Sequence, residues 1–184
     1  MTSTESLAGQ LLLASPSLLD PNFARSVVLI GVHNDDGAMG VVLNRPSSVT
    51  IGEAAPALAD TLGEDEPLFV GGPVQANSIV FLGEFLDPSP AGLFVLGRIG
   101  FPAPEASIED LMQATARRRV FSGYAGWGRG QLEQELAGED WIAHRALPED
   151  VFNEEPENLW ASVLTRKGGS YALIARMPID PSLN

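Results

Sequence analysis

The chain has 184 residues, of which 45% are hydrophobic and 19% are charged, with no cysteine and a formal net charge of -13 at pH 7. A chain of this length and composition buries enough apolar surface to fold without disulfides, so we expect a single domain over residues 1–184. The absence of cysteine excludes thiol nucleophiles and zinc–thiolate sites, and the negative charge disfavours nucleic acid and anionic membranes as partners.

The N-terminal part of the chain predicts a cytoplasmic protein that begins with strands. Residues 1–9 lack the positive start and apolar run of a signal peptide. Residues 9–14 form an apolar run that predicts a strand, and a turn-rich segment follows over residues 15–22. Residues 27–32 are strongly β-branched, and the polar cluster over residues 33–37 ends in a glycine before residues 39–43 resume the apolar pattern. These two runs therefore predict a β-hairpin.

The middle of the chain combines capped helices with short strands. Thr50 and Glu53 match a capping box, and Pro56 predicts that the helix is interrupted and begins again there. Ser107 is the predicted N-cap of a further helix, whose apolar stripe reaches Thr115 and which the three arginines 117–119 close. The other strands predicted here span residues 68–70, 79–82, 93–98, 120–122 and 141–145.

Two later segments have clear helical signals. Residues 131–137 place apolar side chains on one face and end at Gly138, and a helix beginning at Pro156 ends at Gly168. Residues 171–175 fit either a helix or a strand. Because several strands come early without helices between them, the order of elements predicts an α+β fold and not a regular βαβ alternation.

The glycine-rich stretch from Gly123 to Gly130 has two interpretations. As a loop before the helix at 131–137, its uncovered N–H groups predict an anion site with Arg129 beside it. Against this, Glu133 and Glu135 lie in the first turns of that helix, and Gln131 breaks the dinucleotide-binding fingerprint. A structural tight turn is favoured, with ligand binding as the alternative. The candidate ligand-binding residues of this stretch are Gly126, Gly128, Arg129 and Gly130.

The remaining polar residues predict no catalytic or metal centre. His33 fits a turn, His144 lies within an apolar strand, and Ser170 lacks the second glycine of a nucleophile elbow, so no catalytic residue, metal site or cofactor is predicted. Polar side chains flanking the hairpin either line a cleft or satisfy loop backbone, and the second interpretation is favoured. They are Asn22, Arg25, Asn44 and Arg45.

Several ordered motifs carry a family resemblance. They are Ala14-Ser15-Pro16, Asp20-Pro21-Asn22-Phe23-Ala24-Arg25-Ser26-Val27, the stretch from Gly37 to Pro46, Val70-Gly71-Gly72-Pro73-Val74, the stretch from Gly123 to Glu133, and the closing residues 178–184. With these motifs the sequence resembles the AlgH/YqgE family of bacterial proteins over essentially the whole chain. Many relatives carry a histidine after the Gly-Gly-Pro motif, where this chain reads Val80-Phe81-Leu82-Gly83-Glu84.

The resemblance implies a fold and leaves the function open. The implied fold is α+β, with a mixed bifurcated β-sheet curled into a pseudo-barrel and flanked by helices, without a known catalytic activity or cofactor. Some relatives are regarded as transcriptional regulators on genetic grounds. We favour a regulatory or interaction protein that acts through an unidentified protein partner. The alternatives are a module or enzyme that binds a small anionic ligand where residues 123–130 meet residues 20–25, and, least favoured, DNA binding through Arg117 to Arg119.

Overall fold

The computed structural model describes residues 5–179, in which ten strands form one sheet and seven helices flank it. The strands are β1 (Gln10–Ala14), β2 (Val27–Asn34), β3 (Gly37–Val42), β4 (Pro46–Thr50), β5 (Pro67–Val70), β6 (Val74–Phe85), β7 (Ala91–Leu96), β8 (Ile99–Pro102), β9 (Thr115–Gly128) and β10 (Trp141–Arg145). The helices are α1 (Ile51–Ala54), α2 (Pro56–Leu62), α3 (Ile108–Ala114), α4 (Gln131–Ala137), α5 (Pro148–Val151), α6 (Pro156–Lys167) and α7 (Ser170–Ile174).

The sheet is mixed and curls into a half-barrel. Its strand order is β10-β1-β2-β3-β9-β6-β8-β7, with β4 and β5 branching from this path. All pairs are antiparallel except β5 with β9, which is parallel. The curl brings β8 back over β2, where a Cβ placed on Gly31 would lie 2.7 Å from the ring of Phe101. The predicted α+β class and curled mixed sheet are therefore confirmed.

The central strands are buried on both faces, which is why their sequences are continuous apolar runs. Successive residues of a strand point to opposite sides. Leu11 and Leu29 face an inner core that α6 closes with Trp160, whereas Leu12 and Val28 face an outer core against α4. A third core lies beneath α1, α2 and α3 against β5, β6 and β9.

The sheet forks beside β9. This strand pairs with β3 as far as Ala125, opposite Gly40, and then pairs with β5 from Ser122 back to Val120. The end of β5 bonds in turn to the end of β3, because Val42 N–H donates to the Gly71 carbonyl at 2.9 Å. β3 and β9 diverge at this point, so a gap opens between these two strands. This arrangement is the bifurcation that the family resemblance implied.

Several sequence predictions are confirmed in detail. The hairpin of β2 and β3 closes through a two-residue turn between Asn34 and Gly37. The capping box of Thr50 and Glu53 is present, and the helix restarts at Pro56 as α2. The Ser107 side chain accepts from the Asp110 N–H at the start of α3.

Two predictions for the segment after α3 are wrong. The helix ends at Ala114, and Arg117 to Arg119 lie in β9 instead of closing it. The stretch from Gly123 to Gly130 is not a loop, because β9 continues through Gly128. The reason is tertiary: β3, β5 and β6 flank β9 and supply partners for its backbone, which outweighs the low strand propensity of glycine.

Some elements were not predicted from the sequence, and one segment was left open between helix and strand. The sequence patterns do not predict β4, β8 and α5, and β6 begins at Val74, five residues earlier than expected. Residues 171–175, which fit either type, fall mostly in helix α7. The closing motif over residues 178–184 lies mainly outside the described residues. Within residues 5–179, no helix has the length and apolar character needed to cross a bilayer.

Candidate functional site

The two end strands of the main sheet path, β10 and β7, differ in how their backbone groups are covered. At β10, the Ala143 carbonyl accepts from Lys167 Nζ at 3.1 Å and the Arg145 carbonyl accepts from Arg166 Nη2 at 3.3 Å. At the opposite edge, β7 pairs only with β8 within residues 5–179. No side chain in that range hydrogen-bonds to the backbone from Gly92 to Phe94. The β10 edge is thus covered by basic side chains, whereas the β7 edge is open from Gly92 to Phe94 among the described residues and packs against Gly9 at Val95.

Apolar side chains surround the open part of β7. Leu93 is 40% exposed and Phe94 is 46% exposed, and Leu86 nearby in sequence is also exposed. The Phe94 ring packs edge to face against Phe85, with centroids 5.9 Å apart, and this contact holds the Phe94 ring in position. The strand from Ala91 to Leu96 contains no charged residue and no proline.

An acidic cleft of about 530 Å³ adjoins the first residues of β7. Its charged lining residues are Asp87, Glu105 and Asp110, and no basic residue of the described range 5–179 lines it. Hydrogen bonds from the Ser89 hydroxyl and N–H hold the pKa of Asp87 below its ordinary value. Ser89 also lines the cleft. Because its pKa is lowered, the Asp87 carboxylate keeps its charge at neutral pH.

A second cleft, which we call the fork cleft, lies where the sheet divides. It measures about 330 Å³ and is lined by Pro21, Asn22, Val42, Arg45, Pro46, Val70, Gly72, Pro73 and Ala76. Three of the motifs that carry the family resemblance supply these residues, because the segments 20–27, 37–46 and 70–74 meet here. The walls are mostly apolar, and Arg45 is the single charged residue among them.

Tight backbone packing beside the fork cleft explains its glycines. A Cβ on Gly72, which has a φ of 153°, would lie 2.2 Å from the Tyr124 carbonyl. A Cβ on Gly71 would lie 2.3 Å from the Gly123 carbonyl, and one on Gly123 would lie 2.4 Å from that of Gly72. These distances are far below van der Waals contact, so the three positions accept no side chain.

The predicted polar residues at this end of β3 divide into two roles. Asn22 and Arg45 line the fork cleft. Asn44 is buried, where its Oδ1 accepts from the Val27 N–H and its Nδ2 donates to the Arg25 carbonyl, both at 2.9 Å. The Arg25 guanidinium lies 4.5 Å from the centroid of a Trp160 ring. Asn44 and Arg25 therefore hold the loop in place.

The predicted residues of the glycine-rich stretch lie elsewhere. Gly126 is opposite Met39 in the sheet, and Gly128 is opposite Gly37 at the hairpin turn. Arg129 is exposed and pairs with Asp36 at 3.1 Å. This turn and Asn44 are at opposite ends of β3, about 20 Å apart along the strand. The structure therefore brings Asn22 and Arg45 together but separates them from Gly128, Arg129 and Gly130.

The segment 20–25 does reach β9, through an aromatic cluster. The Phe23 ring lies 6.4 Å from that of Trp127 and 5.7 Å from that of Trp141. Both indole N–H groups donate to Glu135 Oε2, at 2.7 and 2.8 Å. Phe23 thus packs against both tryptophans, and the hydrogen bonds of their indoles to Glu135 fix α4 against the sheet.

His33 is engaged in structural contacts. The Leu7 N–H donates to His33 Nδ1, so His33 Nε2–H donates to Glu133 and lowers the pKa of that carboxyl group. Burial lowers the pKa of His144.

Each arginine of the triplet has a partner. Arg117 binds both oxygens of Glu84, Arg118 binds Glu66, and Arg119 lies over Phe69. The strand residue Glu84 belongs to the segment 80–84, where many relatives were expected to carry a histidine. Within residues 5–179, no group of histidine and acidic residues is placed to hold a metal ion.

Comparison with known proteins decides the family. The sequence profile of a family described as AlgH-like matches residues 11–172. The chain belongs to the AlgH-like family. A UPF0301 protein of Streptomyces coelicolor is 45% identical over 100% of this chain and 98% of its own length. A UPF0301 protein of Mycobacterium tuberculosis is 41% identical over 96% of this chain and 90% of its own.

Two solved structures share the AlgH-like fold. Protein DIP2367 of Corynebacterium diphtheriae is 28% identical, with a TM-score of 0.82 over 96% of this chain and 95% of its own. The solution structure of the AlgH protein from Pseudomonas aeruginosa is 29% identical, with a TM-score of 0.73 over 98% of both chains. The family resemblance is therefore confirmed, along with the curled mixed sheet that it implied.

Sequence reasoning missed the open edge of β7 and the apolar walls of the fork cleft. The sequence predicts a strand at Leu93 and Phe94, but nothing in a strand pattern tells an edge from a centre. The continuous apolar run over residues 91–96 is typical of a strand buried on both faces, so the sequence carries no signal for an edge here. Val70 has the pattern of a core residue, and only the divergence of β3 and β9 leaves it exposed at the cleft, whereas Val42 stays buried beneath it.

Proposed function

We propose that the protein is a regulatory or interaction protein that binds a partner chain as an added strand along β7. The observation that carries the proposal is the open backbone of Gly92 to Phe94, flanked by exposed apolar side chains. In strand addition, main-chain hydrogen bonds supply affinity and alternate side chains supply selectivity.

The contrast between the two edges supports this proposal. Soluble proteins protect sheet edges with lysine, proline, bulges or covering side chains, because an unpaired edge promotes aggregation. Here Lys167 and Arg166 cover the carbonyls of β10, whereas the segment from Gly92 to Phe94 has no such protection in the part of the chain described. The branch strand β4 pairs only with β5 in the described range, and its Val49 and Thr50 N–H groups donate to Ser47 Oγ and Glu53 Oε2. An edge without such contacts among the described residues fits a surface that a partner covers.

The acidic cleft specifies the chemistry of the partner. Asp87, Glu105 and Asp110 adjoin the start of β7 and have no cation among the residues that line the cleft. An antiparallel added strand has its C-terminal end at the start of β7. We therefore propose an extended partner segment with alternating apolar residues, followed on its C-terminal side by lysine or arginine.

A peptide-display selection against the intact protein tests this function. We expect enriched peptides to alternate apolar residues and to end in a basic residue. Leu93→Lys places a charge on the open edge and should reduce the binding of these peptides by about tenfold or more. Val49→Lys is the matched control, because Val49 is 41% exposed against 40% for Leu93 and lies on β4.

Hydrogen exchange identifies the binding mode. A selected peptide should slow the exchange of amides between Gly92 and Phe94, because strand addition pairs the outward N–H groups. Binding that survives Leu93→Lys unchanged, or protection confined to another surface, would exclude β7 as the site. Failure to enrich any peptide over background would count against the function itself.

A further inference from the structure

Arg45 differs from the other partly buried arginines of residues 5–179. Arg117 and Arg118 bind carboxylates, and Arg25 and Arg119 lie over aromatic rings. Arg45 has neither kind of partner in this range, and its one side-chain hydrogen bond is from Nη2 to the Ala24 carbonyl. A guanidinium has several N–H donors in a planar fork, so most of its donors remain available.

The surroundings of Arg45 favour an anion. Among residues 5–179, no aspartate or glutamate lines the fork cleft, although the whole chain carries 24 acidic residues. Burial lowers the pKa of Arg45, because the charged form loses hydration there. An anionic group bound in the cleft would provide an opposite charge.

The side chains that line the fork cleft indicate the chemistry of the uncharged part of the ligand. Pro46, Val70 and Pro73 form exposed apolar surface around the cleft, and the Asn22 side chain lines it without a hydrogen-bond partner among the described residues. A volume of about 330 Å³ is at the small end of the range for ligand sites. A compact molecule with an apolar body and a single charged group fits these properties.

We infer that the fork cleft binds a small organic anion whose carboxylate or phosphate pairs with Arg45 and whose apolar body lies against Val70 and Pro73. This site uses none of the residues of β7 and does not depend on partner binding there. It also differs from the anion site expected at residues 123–130, because Gly128 and Arg129 lie at the far end of β3.

Backbone amide NMR titrations of the intact protein test the inference. The probes are benzoate, phenyl phosphate and the neutral benzyl alcohol, each added at constant ionic strength. We expect saturable shifts at Asn22, Val42, Val70 and Gly72 with the anions and none with the alcohol. The two anions compare carboxylate with phosphate as the preferred charged group.

Three variants test whether the anion binds to Arg45 in the fork cleft. Arg45→Gln should weaken anion binding by about tenfold or more, since it removes charge-assisted hydrogen bonds. Val70→Glu places a carboxylate at the wall and should weaken it similarly, while Val70 is 42% exposed and tolerates the change. Arg129→Gln removes an exposed arginine that pairs with Asp36 and should leave the titration unchanged.

Three outcomes would overturn the inference. They are equal shifts with benzyl alcohol, shifts centred outside the fork cleft, and wild-type affinity in both Arg45→Gln and Val70→Glu. If the spectrum of Arg45→Gln shows an unfolded chain, Val70→Glu decides alone, because it opposes the anion without removing Arg45.

Discussion

Gly72 lies where the chain passes from β5 to β6, against the backbone of β9. Its φ is 153°, and a Cβ at this position would lie 2.2 Å from the Tyr124 carbonyl, which leaves no room for a side chain. A residue with a Cβ must push β9 away from the fork. At the residue scale, the glycine therefore sets how closely the two strands approach beside the cleft.

We expect Gly72→Ala to lower the free energy of unfolding by about 3 kcal/mol, because the added methyl group meets backbone that cannot rotate away. Urea denaturation followed by circular dichroism measures the change. Gly128→Ala is the control, since the nearest atom to its Cβ position is Gln131 Oε1 at 3.9 Å. That variant should stay within about 0.5 kcal/mol of the wild type. Equal midpoints for both variants would contradict the steric explanation.

Helix α4 shows how a single side chain can anchor an element. Glu135 receives both indole N–H groups of Trp127 and Trp141, and its other oxygen accepts from Gln131 at 2.9 Å. The two tryptophans belong to β9 and β10, so one carboxylate links the helix to two strands. The apolar contact of Leu132 with the outer core adds to this attachment.

Glu135→Ala should lower the free energy of unfolding by about 2–4 kcal/mol, because two buried indole donors lose their acceptor. Near-ultraviolet circular dichroism of the tryptophans, together with urea denaturation, measures the loss of order. Glu135→Gln keeps an acceptor oxygen and should lose less. Gln134→Ala, an exposed change in the same helix, should have little effect; a loss as large as that of Glu135→Ala would show that general helix destabilisation is responsible.

At the scale of the whole molecule, charge opposes DNA binding. The net charge is -13, and the arginine triplet is bound by Glu84, Glu66 and Phe69 within the fold. A phosphate backbone would have to displace these partners and overcome long-range repulsion. The regulatory role proposed for this protein therefore rests on a protein partner.

We expect no electrophoretic shift of duplex DNA by the purified protein, even at low ionic strength, where phosphate contacts are strongest. Fluorescence anisotropy with a labelled duplex gives an independent measurement. A basic DNA-binding protein serves as the positive control for both. A shift that weakens steadily with added salt would contradict this expectation. The arginine triplet would then again be a candidate DNA-binding surface.

Sequence patterns predicted the features that depend on residues close together in the chain. The capping box of Thr50 and Glu53, the restart at Pro56 and the cap at Ser107 depend on residues within one turn, and each was predictable. The hairpin was predictable because its turn residues and β-branched runs are adjacent. The identity of β9 was not, because its glycines become strand residues only between β3, β5 and β6.

The candidate sites divide in the same way. Asn22 and Arg45 stand out in the sequence as polar residues in loops, but Asn44 and Arg25, which stand out on the same grounds, support the backbone. The difference lies in which side chains face the gap between diverging strands. That gap depends on contacts between residues far apart in the chain, which a sequence pattern does not record.

The sequence by itself determined the fold class, the family, the negative charge and the exclusion of thiol chemistry, because these depend on composition and on motifs of adjacent residues. Tertiary structure alone decided that the arginine triplet is bound within the fold, that β7 is an open edge and that Arg45 lacks a counter-charge among the described residues. The physical reason is that exposure and charge pairing are properties of neighbours in space, and folding chooses those neighbours.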